Sequence, residues 1–234
     1  MSWDERNRLV LGNRTYEKIT DHHVLIVGVG GVGGAVLEAL ARFGMKRITV
    51  IDFDTVDETN LNRQLISNRS NIGELKVDVA AERVRSINPD CEIRGFNVFL
   101  NEENLTLVRE LQPDYVIDAI DSVRSKLDLI RFCRENGIPI VSSMGTGNRF
   151  SPEGFVIDKV ENSAGNGCGL SRVMRRELRK RGIEGHISLF NRFPPDSSQV
   201  LDSTGGRHAP GSTVFAPNTA GLLLASYVCR KLAE

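Results

Sequence analysis

Val24, Leu25, Ile26 and Val27 form an apolar run with no polar residue between them, the pattern of a strand buried on both faces of a parallel sheet. Further strands are predicted over 47–52, 92–98, 114–118 and 138–142. Segments with helical spacing at 31–43, 74–88, 102–111 and 123–136 fall between them, and a short helix precedes the first strand. Regular alternation of strand and helix predicts an α/β protein with a doubly wound, mainly parallel sheet. After Gly145 the pattern changes: a strand at 154–159, a basic helix at 170–181 and a strand at 187–190. A loop-like stretch then spans 191–217, with Pro194, Pro195, Gly205, Gly206, Pro210 and Gly211. A loop of that length inside a compact domain is usually functional or mobile. A final helix over 218–232, apolar at Leu222, Leu223, Ala225 and Val228, is expected to close the core. The 234 residues suit one domain, 1–234, with a nucleotide-binding half at about 20–145 and a substrate and loop half at about 146–234.

The first strand runs directly into Gly28, Gly30, Gly31 and Gly33, a G-x-G-x-x-G turn that opens a helix. The first glycine permits the sharp turn, the second lets a phosphate approach the backbone, and the third lets helix and strand pack closely. An anion would rest on free amides at the positive end of the helix dipole. The next strand ends in Asp52, near the offset of about 20 residues at which an acid accepts from a ribose. Together these features predict a Rossmann-like nucleotide site.

The residues after Asp52 do not continue as a dinucleotide-binding unit does. Asp52, Asp54, Asn60, Asn62, Arg63 and Gln64 crowd into thirteen positions, Lys76 follows, and Asp118 and Asp121 stand where an apolar strand meets a loop. Ligands of open α/β sheets bind beyond the carboxyl ends of the strands, so these groups are expected to converge there.

Composition narrows the classes. Thirty basic and thirty acidic residues cancel, so affinity for nucleic acid must come from a local patch. No apolar run is long enough for a membrane span and no signal peptide opens the chain, which predicts a cytoplasmic protein. Cys91, Cys133, Cys168 and Cys229 stand far apart without a C-x-x-C pair, so reduced thiols and no structural zinc are expected.

The GVGGVGG turn, the DFDTVDETNLNRQ stretch, the lysine of NIGELK, AERVRSINP and DAIDS resemble the adenylation domain of the ThiF/MoeB and ubiquitin-activating superfamily. Within it the chain looks like the bacterial tRNA threonylcarbamoyladenosine dehydratase branch. That branch carries a C-x-L-x-R-V-M-R-x-E-L-R-K-R-G-I segment, matched from Cys168 to Ile183, and an A-P-G-S loop, matched from Ala209 to Ser212. The resemblance implies ATP and magnesium as cofactors. It implies Asp121 as the magnesium ligand, Lys76 and Arg63 as phosphate clamps, Asp52 at the ribose, and Asn60 and Asn62 beside the phosphates. Asp54 would support the loop or accept from Arg63. Arg6 occupies the position of an arginine that reaches the γ-phosphate in the partner subunit, which implies a homodimer. The implied reaction is adenylation of the threonyl carboxylate of N6-threonylcarbamoyladenosine in tRNA, followed by cyclising dehydration.

Each residue has a plainer reading. Asp121 could cap the following helix, and Lys76, Arg63, Arg6 and Arg8 could be solvated charges. Cys168 is read as a buried thiol or a helix-starting residue in preference to a nucleophile, because dehydration of a small carboxylate needs no thioester. Arg172, Arg175, Arg176 and Arg179 recur at i, i+3, i+4 and i+7, a basic stripe to which a tRNA backbone would fit, or a solvated face. The segment departs from the branch: Gly169 stands where proline is common and Ser171 where alanine is common. Two other activities remain open. One is adenylation of the C-terminal glycine of a ubiquitin-like sulfur carrier, with a sulfur-carrier or sulfur-transfer protein as partner. The other is a NAD-binding dehydrogenase or redox-sensing module.

Overall fold

The computed structural model describes residues 2–196, 200–202 and 208–234. Its centre is β1 (His23–Val27), buried at every position. Parallel neighbours β2 (Arg47–Asp52) and β4 (Tyr115–Asp118) flank it. With β3 (Glu92–Asn97), β5 (Ile140–Ser143), β6 (Phe155–Lys159) and β7 (Ile187–Asn191) they form a seven-stranded sheet in the order β3-β2-β1-β4-β5-β7-β6. Only β6 runs antiparallel to its neighbour. The expected doubly wound, mainly parallel α/β sheet is therefore what forms.

Alternate residues of β1 feed two cores, as a strand's period of two requires. Val24 and Ile26 pack with Val36, Leu37 and Leu40 of α3 (Gly31–Phe43), with Val77 and Val84 of α4 (Lys76–Ile87), and with Leu224 and Val228 of α8 (Phe215–Ala233). Leu25 and Val27 pack with Val108 of α5 (Thr106–Glu110) and with Leu129 and Cys133 of α6 (Val123–Glu135). The two helices α3 and α8 approach closely because Gly221 has no side chain: a Cβ there would lie 2.4 Å from the Val32 carbonyl oxygen. Among the described residues no helix is long and apolar enough to cross a membrane.

Three boundaries differ from expectation. The N-terminal segment forms two helices, α1 (Glu5–Leu11) and α2 (Asn13–Thr20), which break at Gly12 with φ of 77°. The helix expected over 102–111 is confined to Thr106–Glu110, since Asn101 and Asn104 bond the local backbone and form a turn instead. The stretch 191–217 is only partly loop. β8 (Val200–Asp202) and β9 (His208–Pro210) pair antiparallel, and α8 starts at Phe215, placing Pro217 in its first turn. Proline is tolerated there because first-turn amides lack helical partners. Two three-residue strands are too short to announce themselves by alternation. Gly205 and Gly206 lie outside the described residues.

A polar cluster lies beneath the carboxyl ends of β4 and β5. Lys126 of α6, wholly buried, donates to the wholly buried Asp118 at 2.8 Å. Asp118 also accepts from the Ile120 amide at 3.0 Å. Nearby, His186 shares a 2.8 Å hydrogen bond with Ser142 Oγ. Burial first, then the charges of Lys126 and Arg134, push the His186 pKa down to about 3. An unfolded histidine titrates near 6.5. Between those values the unfolded chain binds a proton that the native chain refuses, so stability present above about pH 6.5 is lost as the pH falls. Urea unfolding between pH 7 and 5, above the main carboxylate range, is expected to show this slope, and His186→Gln to flatten it.

Candidate active site

The glycine turn is built as its spacing requires. Gly28 has φ of 88°, and its amide donates to the Ile51 carbonyl at 2.8 Å. A Cβ on Gly33 would sit 1.8 Å from the Gly28 carbonyl oxygen, so no larger residue fits without moving the turn. Gly30 is the N-cap of α3 and brings no side chain to its first amides, leaving them free to meet an anion. Gly31 is covered by Pro217, 3.0 Å from where its Cβ would be.

Asp52 braces this turn. Its Oδ2 accepts from the Val29 amide at 2.7 Å and its Oδ1 from the Asp54 amide at 2.9 Å. Each carboxylate oxygen retains a further lone pair. Asp54 pairs with Lys76 at 3.0 Å rather than with Arg63, and its carbonyl accepts from the Lys76 amide at 3.0 Å, so of the two uses expected for it the structure shows support of the loop. The reason is a bridge between Thr55 and Leu75 that lays the two segments side by side. Lys76 is buried, with its ammonium held at the surface end by that carboxylate.

Asn60 and Asn62, expected beside the phosphates, bond to the surrounding loops. Asn60 Oδ1 accepts from the Asp57 amide at 3.2 Å and closes a capping box, while Asn62 Nδ2 donates to the Ser212 carbonyl at 2.8 Å. Both side chains organise loops. Arg63 donates to the Thr59 carbonyl at 2.7 Å and to Asn62 Oδ1 at 2.9 Å, and burial lowers its pKa. Its own carbonyl accepts from Asn218 Nδ2 at 3.0 Å. The polar segment after Asp52 is thus tied to the A-P-G-S loop and to the start of α8.

Asp121 is exposed on the loop after β4 and makes no ion pair among the described residues. The N-cap of α6 is Ser122, so Asp121 does not occupy the capping position. Arg6 is exposed on α1, whereas Arg8 pairs with Asp4 at 2.9 Å and Glu17 at 3.0 Å and lies over the Tyr16 ring.

The basic stripe on α7 (Gly169–Lys180) is narrower than its spacing suggests. Arg175 turns inward and donates to the Ser163 carbonyl at 2.8 Å and Oγ at 2.7 Å, leaving Arg172, Arg176 and Arg179 exposed. Arg176 in turn pairs with Glu177 at 2.9 Å. Cys168 is buried at the N-cap of α7, its sulfur 3.5 Å from the Ser171 amide. Among the described residues no group of three or more His, Cys, Asp or Glu is arranged to hold a metal.

Two features carried no sequence signal. Arg149, in the loop after β5, is buried although an arginine among Gly, Asn and Ser reads as an exposed loop residue. Phe150 and Phe215 are exposed and meet edge to face at 5.6 Å, a contact between residues 65 positions apart in the chain.

The sequence model of the ThiF family matches residues 5–230. The chain belongs to the ThiF family. This ThiF protein is 36% identical, over 242 aligned positions, to the tRNA threonylcarbamoyladenosine dehydratase of Bacillus subtilis (strain 168), covering 98% of this chain and 94% of that protein. Among solved structures it resembles E. coli tRNA N6-threonylcarbamoyladenosine dehydratase, TcdA, in complex with AMP, with a TM-score of 0.87 and 33% identity over 97% of this chain and 92% of that one. The same enzyme in complex with ATP gives a TM-score of 0.84 and 32% identity, over 97% and 92% of the two chains. Membership of the ThiF family favours the adenylating reading over the dehydrogenase alternative.

Proposed function

We propose that this ThiF protein uses ATP to activate the threonyl carboxylate of N6-threonylcarbamoyladenosine in tRNA and closes it to a cyclic, dehydrated product. Likeness to the dehydratases over nearly the whole of both chains carries this reading. The glycine turn and the α3 amides would hold phosphate, Asp52 the ribose, and Lys76 and Arg63 the phosphate chain. An exposed carboxylate with no ion pair among the described residues suits magnesium, which keeps several waters and takes one or two protein carboxylates. Asp121 would hold it, and the ion would neutralise charge on the phosphates.

A carboxylate oxygen attacks the α-phosphorus, the bond to the bridging oxygen breaks, and pyrophosphate leaves. The carbamoyl group then attacks the acyl carbon, loses a proton, and AMP departs with the former carboxylate oxygen. One water is lost from the nucleoside in sum. Positioning supplies much of the acceleration of the first step, because attack on ATP becomes intramolecular within the bound complex, while the cyclisation joins two parts of one nucleoside.

A homodimer completes this reading. Leu9 and Val10, 80% and 82% exposed, lie on the same helix as Arg6, α1, and suit burial against a second copy. Arg6 would then reach the partner's phosphates. Arg172, Arg176 and Arg179 offer a local basic face to the tRNA backbone.

The protein incubated with ATP, magnesium and tRNA bearing threonylcarbamoyladenosine is expected to yield, after digestion and mass spectrometry, a nucleoside lighter by one water. An unchanged nucleoside, alongside pyrophosphate exchange stimulated by a carrier peptide, would overturn the substrate and retain adenylation.

A further inference from the structure

Arg149 is 4% exposed, yet its Nε and Nη2 have no hydrogen-bond partner among the described residues. Its remaining nitrogen, Nη1, donates to the Pro194 carbonyl at 3.0 Å. Nε and Nη2 form one side of the guanidinium, the edge that takes a carboxylate through two parallel N–H···O bonds. Native interiors rarely leave such donors empty, and an unpaired buried charge is among the more expensive things a fold can hold. Burial lowers the Arg149 pKa, with Cys168 and Asp196 opposing that shift. Asp196, the nearby acid, makes no ion pair with Arg149 among the described residues. Its Oδ2 accepts from the Phe150 amide at 2.6 Å.

The surrounding backbone holds Arg149 in place. The Asn148 amide donates to the Gly211 carbonyl at 2.6 Å, the Asp196 amide to the Asn148 carbonyl at 2.9 Å, and Thr213 Oγ1 to the Arg149 carbonyl at 3.2 Å. Through Ser212, which accepts from Asn62, this loop connects to the segment bearing Arg63. The loop also follows β5, the strand beside β4, so it lies at the same sheet edge as Asp121. The Phe150 and Phe215 rings stand exposed beside it.

We propose that the free Nε–Nη2 edge of Arg149 receives the substrate's carboxylate and orients it for adenylation. This rests on the function proposed above. One carboxylate oxygen attacks the α-phosphorus as pyrophosphate leaves. The other becomes the acyl carbonyl oxygen and keeps its hydrogen bond to Arg149.

The test compares wild type, Arg149→Gln and Arg149→Lys with tRNA bearing threonylcarbamoyladenosine. It adds competition by the free nucleoside and by its threonine-amide analogue, with ATP affinity measured for each protein. Arg149→Gln is expected to raise KM for the tRNA tens- to about a hundredfold, the range for a charged hydrogen bond. ATP affinity should hold, and preference for the acid over the amide should collapse. Arg149→Lys is expected to restore part of that preference. Unchanged KM together with an undiminished acid preference in Arg149→Gln would overturn the role of Arg149 while leaving the function standing. If Arg149→Gln loses ATP affinity, the Arg149→Lys acid preference decides, a full wild-type value overturning the proposal. A wild type that leaves the nucleoside intact would overturn the function itself.

Discussion

Asp121→Ala is expected to slow ATP-dependent dehydration on the order of 10²–10³-fold, the range for removing one preorganised group that meets charge developing in a transition state. Two observations set this apart from an ordinary surface substitution. The carboxylate stands on the loop following β4, at the sheet edge where the glycine turn and Asp52 lie. It is exposed, makes no ion pair among the described residues, and does not occupy the N-cap position of α6, which is Ser122. Among the described residues no hydrogen bond or ion pair of its side chain holds the fold, so thermal stability should shift by no more than about 0.5 kcal/mol, as surface changes do. Asp121→Asn should fall nearly as far, because a neutral amide keeps the shape and loses the charge that a cation needs. Single-turnover rates with labelled ATP, beside melting curves, check both. A variant within threefold of wild type would remove Asp121 from the reaction.

Lys126→Met has the largest expected effect on stability. Lys126 and Asp118 are both wholly buried and 2.8 Å apart, and removing the lysine leaves a carboxylate in the core. Breaking such a pair from one side costs roughly 3–5 kcal/mol. For a chain of this size that lowers Tm by roughly 6–20 °C. The Ile120 amide remains as one donor to Asp118 and limits the loss. Asp118→Asn combined with Lys126→Met should recover a large part of it, since a neutral amide needs no counter-charge. Urea midpoints for the two single variants and the double variant would show this as strong non-additivity. A loss below about 1 kcal/mol for Lys126→Met would mean that Asp118 does not depend on the lysine. Function follows from the same pair: Asp118 and the Ile120 amide hold the start of the loop that carries Asp121.

What was legible in the chain was local. The apolar run at Val24–Val27 and the glycine spacing specify a buried strand and a tight turn within a few residues of themselves, and β1, α3 and Asp52 stand where that pattern puts them. Cys168 stands at the N-cap of α7 and is buried. The resemblance carried by DETNLNR, NIGELK and DAIDS extended the reading to a family, which the match over 5–230 shows.

Where the reading left a contact open or misplaced it, the deciding partner lay outside the local pattern. Asp54 meets Lys76 because Thr55 and Leu75 bridge, and Arg175 turns inward because Ser163 offers a carbonyl and a hydroxyl. Helical spacing places four arginines on one face but says nothing about what packs beside that face. The stretch 191–217 contains strands of three residues, below the length at which a period of two can be seen.

By itself, then, the sequence determined the sheet and the glycine turn, since periodicity and backbone sterics act over a turn or a strand, while the type of chemistry came from the family resemblance of its motifs. The tertiary structure alone decided which charges are paired. It buries Arg149 with one edge free and closes Lys126 onto Asp118, because burial and hydrogen-bond satisfaction depend on neighbours that only folding brings together.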